Sequence, residues 1–94
     1  VRVTRHEHPL SQQDIVDWLV QRLARACAVP TATIDVHRPF NDYQFDSLAA
    51  VVVNRDLAAW LGHELPLTVF WDFPTIASLS SELIVQVEEH QSSH

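Results

Sequence analysis

The sequence predicts an all-α fold of four helices, three long and one short, with a long loop after the first. Three observations lead there. A chain of 94 residues encloses one modest core, burying roughly 60–65% of its unfolded surface, which excludes a multidomain enzyme. It holds a single glycine, Gly62, and tight hairpin turns need positive φ, so a hairpin-rich β domain is disfavoured. Five prolines, Pro9, Pro30, Pro39, Pro66 and Pro74, divide the chain into segments whose apolar residues recur at the helical period.

The first helix is expected to start at Ser11 and run to about Ala28. The Ser11 hydroxyl can accept from a first-turn N–H while Asp14 reaches back, a capping-box pattern, and Pro30 follows the far end. At about 100° per residue Ile15, Val16, Leu19, Val20, Leu23, Ala26 and Cys27 form one stripe, with Asp14, Asp17, Gln21 and Arg25 opposite. Trp18 falls with the polar set. Its ring is expected over the following loop, the alternative being a contact for a neighbouring domain. Residues 29–46 show no sustained period and read as a long loop pinned at Ile34 and Phe40.

A second helix opens at Asp46-Ser47 and runs to Leu61, with Gly62 as its C-cap. Ala50, Val53, Leu57, Trp60 and Leu61 seat it on the core. Leu48, Val52, Arg55, Asp56 and Ala59 form a mixed strip that reads as a docking surface, or as ordinary scattered exposure. Thr68 is expected to cap one short turn before Phe73-Pro74 ends it. Thr75 caps a last helix with the stripe Ile76, Leu79, Leu83, Ile84 and Val87, while Ser78, Ser81, Glu82, Glu88 and Glu89 face water. The polar ends, 1–10 and 89–94, are expected to be flexible, which leaves a domain over 11–88.

Composition narrows the function. Six arginines, no lysine, seven aspartates and five glutamates give a formal net charge of −6, so a phosphate backbone is repelled and nucleic acid is not an expected partner. No apolar run approaches the ~20 residues of a membrane span. The segment Val1 to His8 is too polar for a signal peptide, so a cytoplasmic setting follows. One cysteine, Cys27, excludes an internal disulfide and a thiolate zinc cluster. The absence of methionine reads as a module cut from a longer polypeptide, monomeric when excised.

Ser47, Asp46 and six histidines are nominally the parts of a triad. Four of those histidines, His6, His8, His90 and His94, lie in the polar ends, and there is no Gly-x-Ser-x-Gly elbow. A helical domain of this size has little room for a water-excluding pocket, so no catalytic residue is assigned. His6-x-His8 lacks a third ligand, so no metal is expected. Glycine-rich phosphate loops are absent.

What remains is Phe45-Asp46-Ser47-Leu48, a serine at the exposed start of a helix. By itself this spells an N-cap. A phosphodiester on that serine would also lie at the positive end of the helix macrodipole, where anionic oxygen gains roughly 0.3–1 kcal/mol.

Over about residues 12–87 the chain resembles an acyl carrier protein domain. The resemblance rests on Ile34-Asp35, Pro39-Phe40, Asp46-Ser47-Leu48, Leu61-Gly62, Leu65-Pro66-Leu67-Thr68 and Pro74-Thr75-Ile76, in that order and at compatible spacings. It implies a four-helix carrier-protein bundle in which Ser47, flanked by Asp46 and Leu48, bears 4′-phosphopantetheine. A separate phosphopantetheinyl transferase that uses magnesium would attach the arm from coenzyme A. The thiol of the arm would carry acyl intermediates as thioesters to ketosynthase, acyltransferase and other synthase domains, so the domain itself is not an enzyme. Leu-Pro-x-Thr and Pro-Thr-Ile are similar to carriers of modular type I polyketide synthases, which the missing methionine suits.

The chain departs from the family twice. Gln44 stands where a glycine is usual, two residues before the aspartate. Val52 stands where carriers often place a glutamate, so recognition is expected to rest on Leu48, Val52 and Arg55 as much as on Asp46 and Asp56. The alternatives are a peptidyl carrier of a nonribosomal peptide synthetase, which usually has glycines just before the serine, and a helical interaction module in which Ser47 is merely a cap.

Overall fold

A computed structural model describes residues 10–43 and 45–91, the last two without their side chains. Of the expected flexible ends, 1–10 and 89–94, residues 1–9 (with His6-x-His8) and 92–94 lie outside the described residues, as does Gln44. Four helices follow one another: α1 (Gln12–Cys27), α2 (Ser47–Leu61), α3 (Val69–Asp72) and α4 (Ile76–Gln91). The described residues contain no strand, only one antiparallel bridge between Pro39 and Thr75. The all-α expectation of three long helices, one short helix and a long first loop is met.

Local chemistry sets the ends of α1. Ser11 Oγ accepts the Asp14 N–H at 3.1 Å while the Asp14 carboxylate accepts the Ser11 N–H at 3.0 Å, the reciprocal box that the spacing predicts. At the other end Ala28 takes the left-handed conformation, φ 58°. Ile15, Leu19 and Leu23 are buried, and α1 packs chiefly against α4, where Ile76, Leu79, Leu83 and Val87 face it from a stripe of the same period. Ala50, Val53 and Leu57 of α2 close the core from the side, together with Phe40, Leu65, Val69 and Phe70.

Several expectations need correction. Ala24, not Ala26, is buried on α1: the chain turns back across Ala24, and the Val29 N–H bonds its carbonyl at 3.0 Å. Trp18 does not lie over the following loop. Its ring stacks on Trp60 of α2, centroids 5.1 Å apart and planes 13° apart, with the Arg22 guanidinium 4.6 Å above the Trp18 ring. Trp60 therefore points outward, 37% exposed, rather than into the core. Thr68 does not cap α3 with its hydroxyl; its backbone is already helical, and its carbonyl accepts the N–H groups of Trp71 and Asp72, both at 2.9 Å.

Thr75 does cap α4, accepting the Ser78 N–H at 3.0 Å, while Ser78 Oγ accepts the Thr75 N–H at 3.1 Å. Ser78 is thus half-buried as the second half of a box, not turned to water. Ser80, outside the expected stripe, is fully buried, and its hydroxyl donates to the Ala77 carbonyl at 3.1 Å. The helix also runs through Gln91, past the boundary expected at 88. Val87, within its last turns, is buried.

The first loop is more ordered than its lack of period suggests. Two 3₁₀ turns, Thr31–Thr33 and Phe40–Asp42, interrupt it. Long-range backbone bonds tie it to the start of α4: the Phe40 N–H donates to the Pro74 carbonyl at 2.8 Å and the Ala77 N–H to the Val36 carbonyl at 2.9 Å. Ile34 and Phe40 are anchors as expected, joined by Val36, Tyr43 and Phe45.

Candidate functional site at the start of the second helix

The loop delivers α2 to the surface in a fixed place. Phe40, Phe45 and Phe70 form an aromatic triangle with ring centroids 5.3–5.4 Å apart, Phe40 and Phe45 each meeting Phe70 edge-on. Phe45 is the residue before Asp46, so this cluster fixes where the helix begins. Asp46 then has extended backbone, and its carboxylate accepts the Ala49 N–H at 2.9 Å. Asp46 is the cap. Ser47 is the first helical residue, exposed, and its hydroxyl makes no hydrogen bond to any described residue.

That division of labour decides what the site can do chemically. A hydroxyl that capped the helix would have its lone pairs committed to backbone N–H groups. At the first helical position the hydroxyl points out while the unbonded N–H groups of the first turn stand nearby, at the positive end of the α2 dipole. An anionic ester on Ser47 Oγ fits this environment, with no rearrangement of the turn needed to expose the oxygen.

Leu48 follows, 72% exposed. With Asp46, Ala49 and Val52 of α2 and Ala26 of α1 it lines a groove of about 340 Å³. This groove accounts for the exposure of Ala26, whose helical phase alone would bury it. Val52 is 48% exposed and Arg55 is exposed, so the strip lies on the surface as its periodicity suggests. Asp56 differs: its carboxylate pairs with the Arg22 guanidinium of α1 and is half-buried. Val51, 42% exposed, belongs to the ridge although it falls outside the expected strip. Its spacing of three from Leu48 and four from Arg55 is the signal that could have found it.

The remaining titratable groups lie elsewhere. His63 Nε2 is 3.3 Å from the Gln86 side-chain oxygen of α4, and the Gln86 amide donates to Glu82 at 2.9 Å. Asp35 accepts the His37 N–H at 2.9 Å inside the first loop. Among the described residues no group of three or more His, Cys, Asp or Glu side chains could hold a metal, and no helix is long and apolar enough to cross a membrane.

Comparison with known proteins gives the family and the fold. A family model for the phosphopantetheine attachment site matches residues 17–83. Over 82 residues the chain is 34% identical to a phenolphthiocerol/phthiocerol polyketide synthase of Mycobacterium tuberculosis (strain CDC 1551 / Oshkosh), covering 87% of this chain and 4% of that much longer protein. Two solved structures share the fold. A free-standing peptidyl carrier protein from Acinetobacter baumannii superposes with a TM-score of 0.79 at 30% identity, over 82% of this chain and 96% of that one. An acyl carrier protein from Anabaena sp. PCC 7120 with a variant phosphopantetheinylation-site sequence gives 0.73 at 35% identity, over 80% and 85%. The match spans most of α1 to α4 and includes the exposed serine that opens α2; the chain belongs to the phosphopantetheine attachment site family, whose members bear that group covalently on a serine.

Proposed function

We propose that Ser47 is the attachment serine, and that the chain is an acyl carrier domain of a polyketide synthase. The observation that carries this reading is the separation of the cap from the exposed hydroxyl: Asp46 bonds the Ala49 N–H, and Ser47 Oγ bonds nothing among the described residues. Each neighbour has a part. Asp46 fixes the first turn, so the hydroxyl is presented at one place. Leu48 and the groove beside it offer apolar surface next to the ester, and the α2 dipole favours its charge. Once attached, the arm supplies a terminal thiol on which acyl groups travel.

In this reading the domain catalyses nothing itself. It binds, presents and releases, and bond-making belongs to a phosphopantetheinyl transferase and to ketosynthase, acyltransferase and related partners. These meet the exposed strip Leu48, Val52 and Arg55 that runs on from Ser47. Tethering raises effective concentration, which is what a carrier contributes to a multienzyme. The carrier unit extends from the Ser11 cap through α4, and the cytoplasm is its setting, since coenzyme A and the transferase act there.

The mycobacterial relative supports a polyketide setting. The Acinetobacter structure supports a second reading, a peptidyl carrier. Intact-mass measurement after incubation with coenzyme A, magnesium and a promiscuous transferase tests the attachment. One phosphopantetheine is expected on the unaltered chain and none on Ser47→Ala; no adduct, or one that survives the substitution, overturns the assignment. Subsequent loading by an acyltransferase rather than an aminoacyl-activating domain separates the two carrier classes.

A further inference from the structure

The ridge of α2 beyond Ser47 carries an unusual inventory. Leu48, Val51 and Val52 expose 72%, 42% and 48% of their surface, and no described residue covers that surface. The groove of about 340 Å³ lies along the Leu48–Val52 side, and one of about 420 Å³, lined by Val51, Arg55, Glu64 and Leu67 among others, along the opposite side. An apolar ridge between two grooves is the relief of a surface that receives another surface.

Its charges say what kind. The chain has a net charge of −6, yet the ridge positions themselves, Leu48, Val51, Val52 and Arg55, carry no carboxylate. Asp46 accepts the Ala49 N–H, and Asp56 is paired with Arg22. Glu64 follows the end of α2 and lines the second groove together with Val51 and Arg55. Arg55 is the charge on the ridge itself, exposed and without an ion pair to any described residue. It shares a face with Leu48, Val51 and Val52 at helical spacing. We propose that the partner surface meeting this ridge is apolar and bears a carboxylate opposite Arg55, so docking runs on hydrophobic contact and one ion pair of reversed sign, not on acidic side chains of the carrier. This rests on Ser47 being the attachment serine, because the ridge is continuous with it.

The sign of one charge reversal tests it. The unaltered domain and the variants Arg55→Gln, Arg55→Glu, Val52→Glu and Glu64→Gln are loaded, with the adduct on each checked by mass. Acyl transfer to the loaded arm by the acyltransferase domain of the same synthase is then followed over a range of carrier concentrations. Arg55→Glu is expected to lower kcat/KM about tenfold, mostly through KM, and Arg55→Gln about threefold, because a like-charge meeting costs more than a lost pair. Val52→Glu is expected to lower it by about tenfold as well, and Glu64→Gln to change it less than about twofold. Raising salt should weaken transfer by no more than about threefold, since one pair is screened. A kcat/KM for Arg55→Glu or Val52→Glu equal to or above that of the unaltered domain, or a steep loss with salt, overturns the proposal. Absence of the adduct on the unaltered domain instead defeats the assignment of Ser47. Arg55 and Val52 are exposed, so none of these losses would arise from a disturbed core.

Discussion

The starts of α1 and α2 use the same two residue types in opposite roles. At α1 the serine comes first: Ser11 accepts the Asp14 N–H and Asp14 accepts the Ser11 N–H, so hydroxyl and carboxylate are both consumed. At α2 the aspartate comes first: Asp46 takes the Ala49 N–H, and Ser47, one residue inside, has nothing left to bond. An apolar residue precedes each pair, Leu10 and Phe45, and both are half-buried against the core. One helix start is closed on itself, and the other is capped by its carboxylate alone while leaving a hydroxyl oxygen in solvent. Order along the chain, not residue composition, separates a serine consumed in a cap from one whose hydroxyl is left exposed.

The largest effect expected from breaking this contrast is on modification. Ser47→Ala should abolish phosphopantetheine loading and leave the thermal midpoint unchanged, whereas Ser11→Ala should load normally. Exchanging the roles at α2, with Asp46→Ser and Ser47→Asp together, keeps a good cap and should cost less than about 0.5 kcal/mol, since serine and aspartate cap comparably. Loading should nevertheless be lost, because the hydroxyl then serves the cap. Mass analysis after transferase treatment and a denaturant titration read both halves. A doubly exchanged chain that loads would show that position relative to the cap is not what matters.

Next in size is the support beneath α2. Phe45→Ala empties one corner of the Phe40–Phe45–Phe70 triangle and should cost about 2 kcal/mol, below the ~3–5 typical of a fully buried phenylalanine because Phe45 is half-buried. Ser11→Ala should cost less, about 1 kcal/mol. Trp18→Ala follows closely at about 1 kcal/mol, from the lost stack on Trp60 and the lost seat for Arg22. Urea unfolding with an unchanged slope is the measurement for all three. If Phe45→Ala proved milder than Ser11→Ala, α2 would depend on its own cap more than on the loop that delivers it.

What is legible in the sequence is what local chemistry decides. The Ser11–Asp14 box, the Thr75 cap, the Gly62 C-cap and the stripes of α1 and α4 depend on residues three or four apart, and a spacing reads them. Ser47 is legible as an exposed helix start, and the motifs around it carry the family resemblance. Features set by helix crossing are not legible. Trp18 on Trp60, and Arg22 on Asp56 across 34 residues, depend on how α1 lies against α2. Asp56 has the helical phase of a docking strip, although a partner on another helix already holds it. Ala26 shows the converse, with the phase of a buried residue at a point where the helices leave a groove. The order of the first loop escapes for the same reason, since its backbone bonds go to Pro74 and Ala77.

The helix ends offer the smallest test and carry the comparison to the C-termini. Ala28 and Gly62 both hold the left-handed conformation that ends a helix, at φ 58° and φ 86°. A Cβ in that region costs roughly 1–2 kcal/mol, which glycine avoids. Glycine in turn gives the unfolded chain more freedom, a penalty of about 0.4–1 kcal/mol. Ala28→Gly should therefore stabilise the domain by about 0.5 kcal/mol, and Gly62→Ala should destabilise it by about 1 kcal/mol. No atom lies within 4 Å of where a Cβ on Gly62 would sit, so the loss there comes from backbone strain and not from crowding. If Ala28→Gly lowered the urea midpoint instead, unfolded-state entropy would outweigh strain at α1, and the two caps would differ in what holds them.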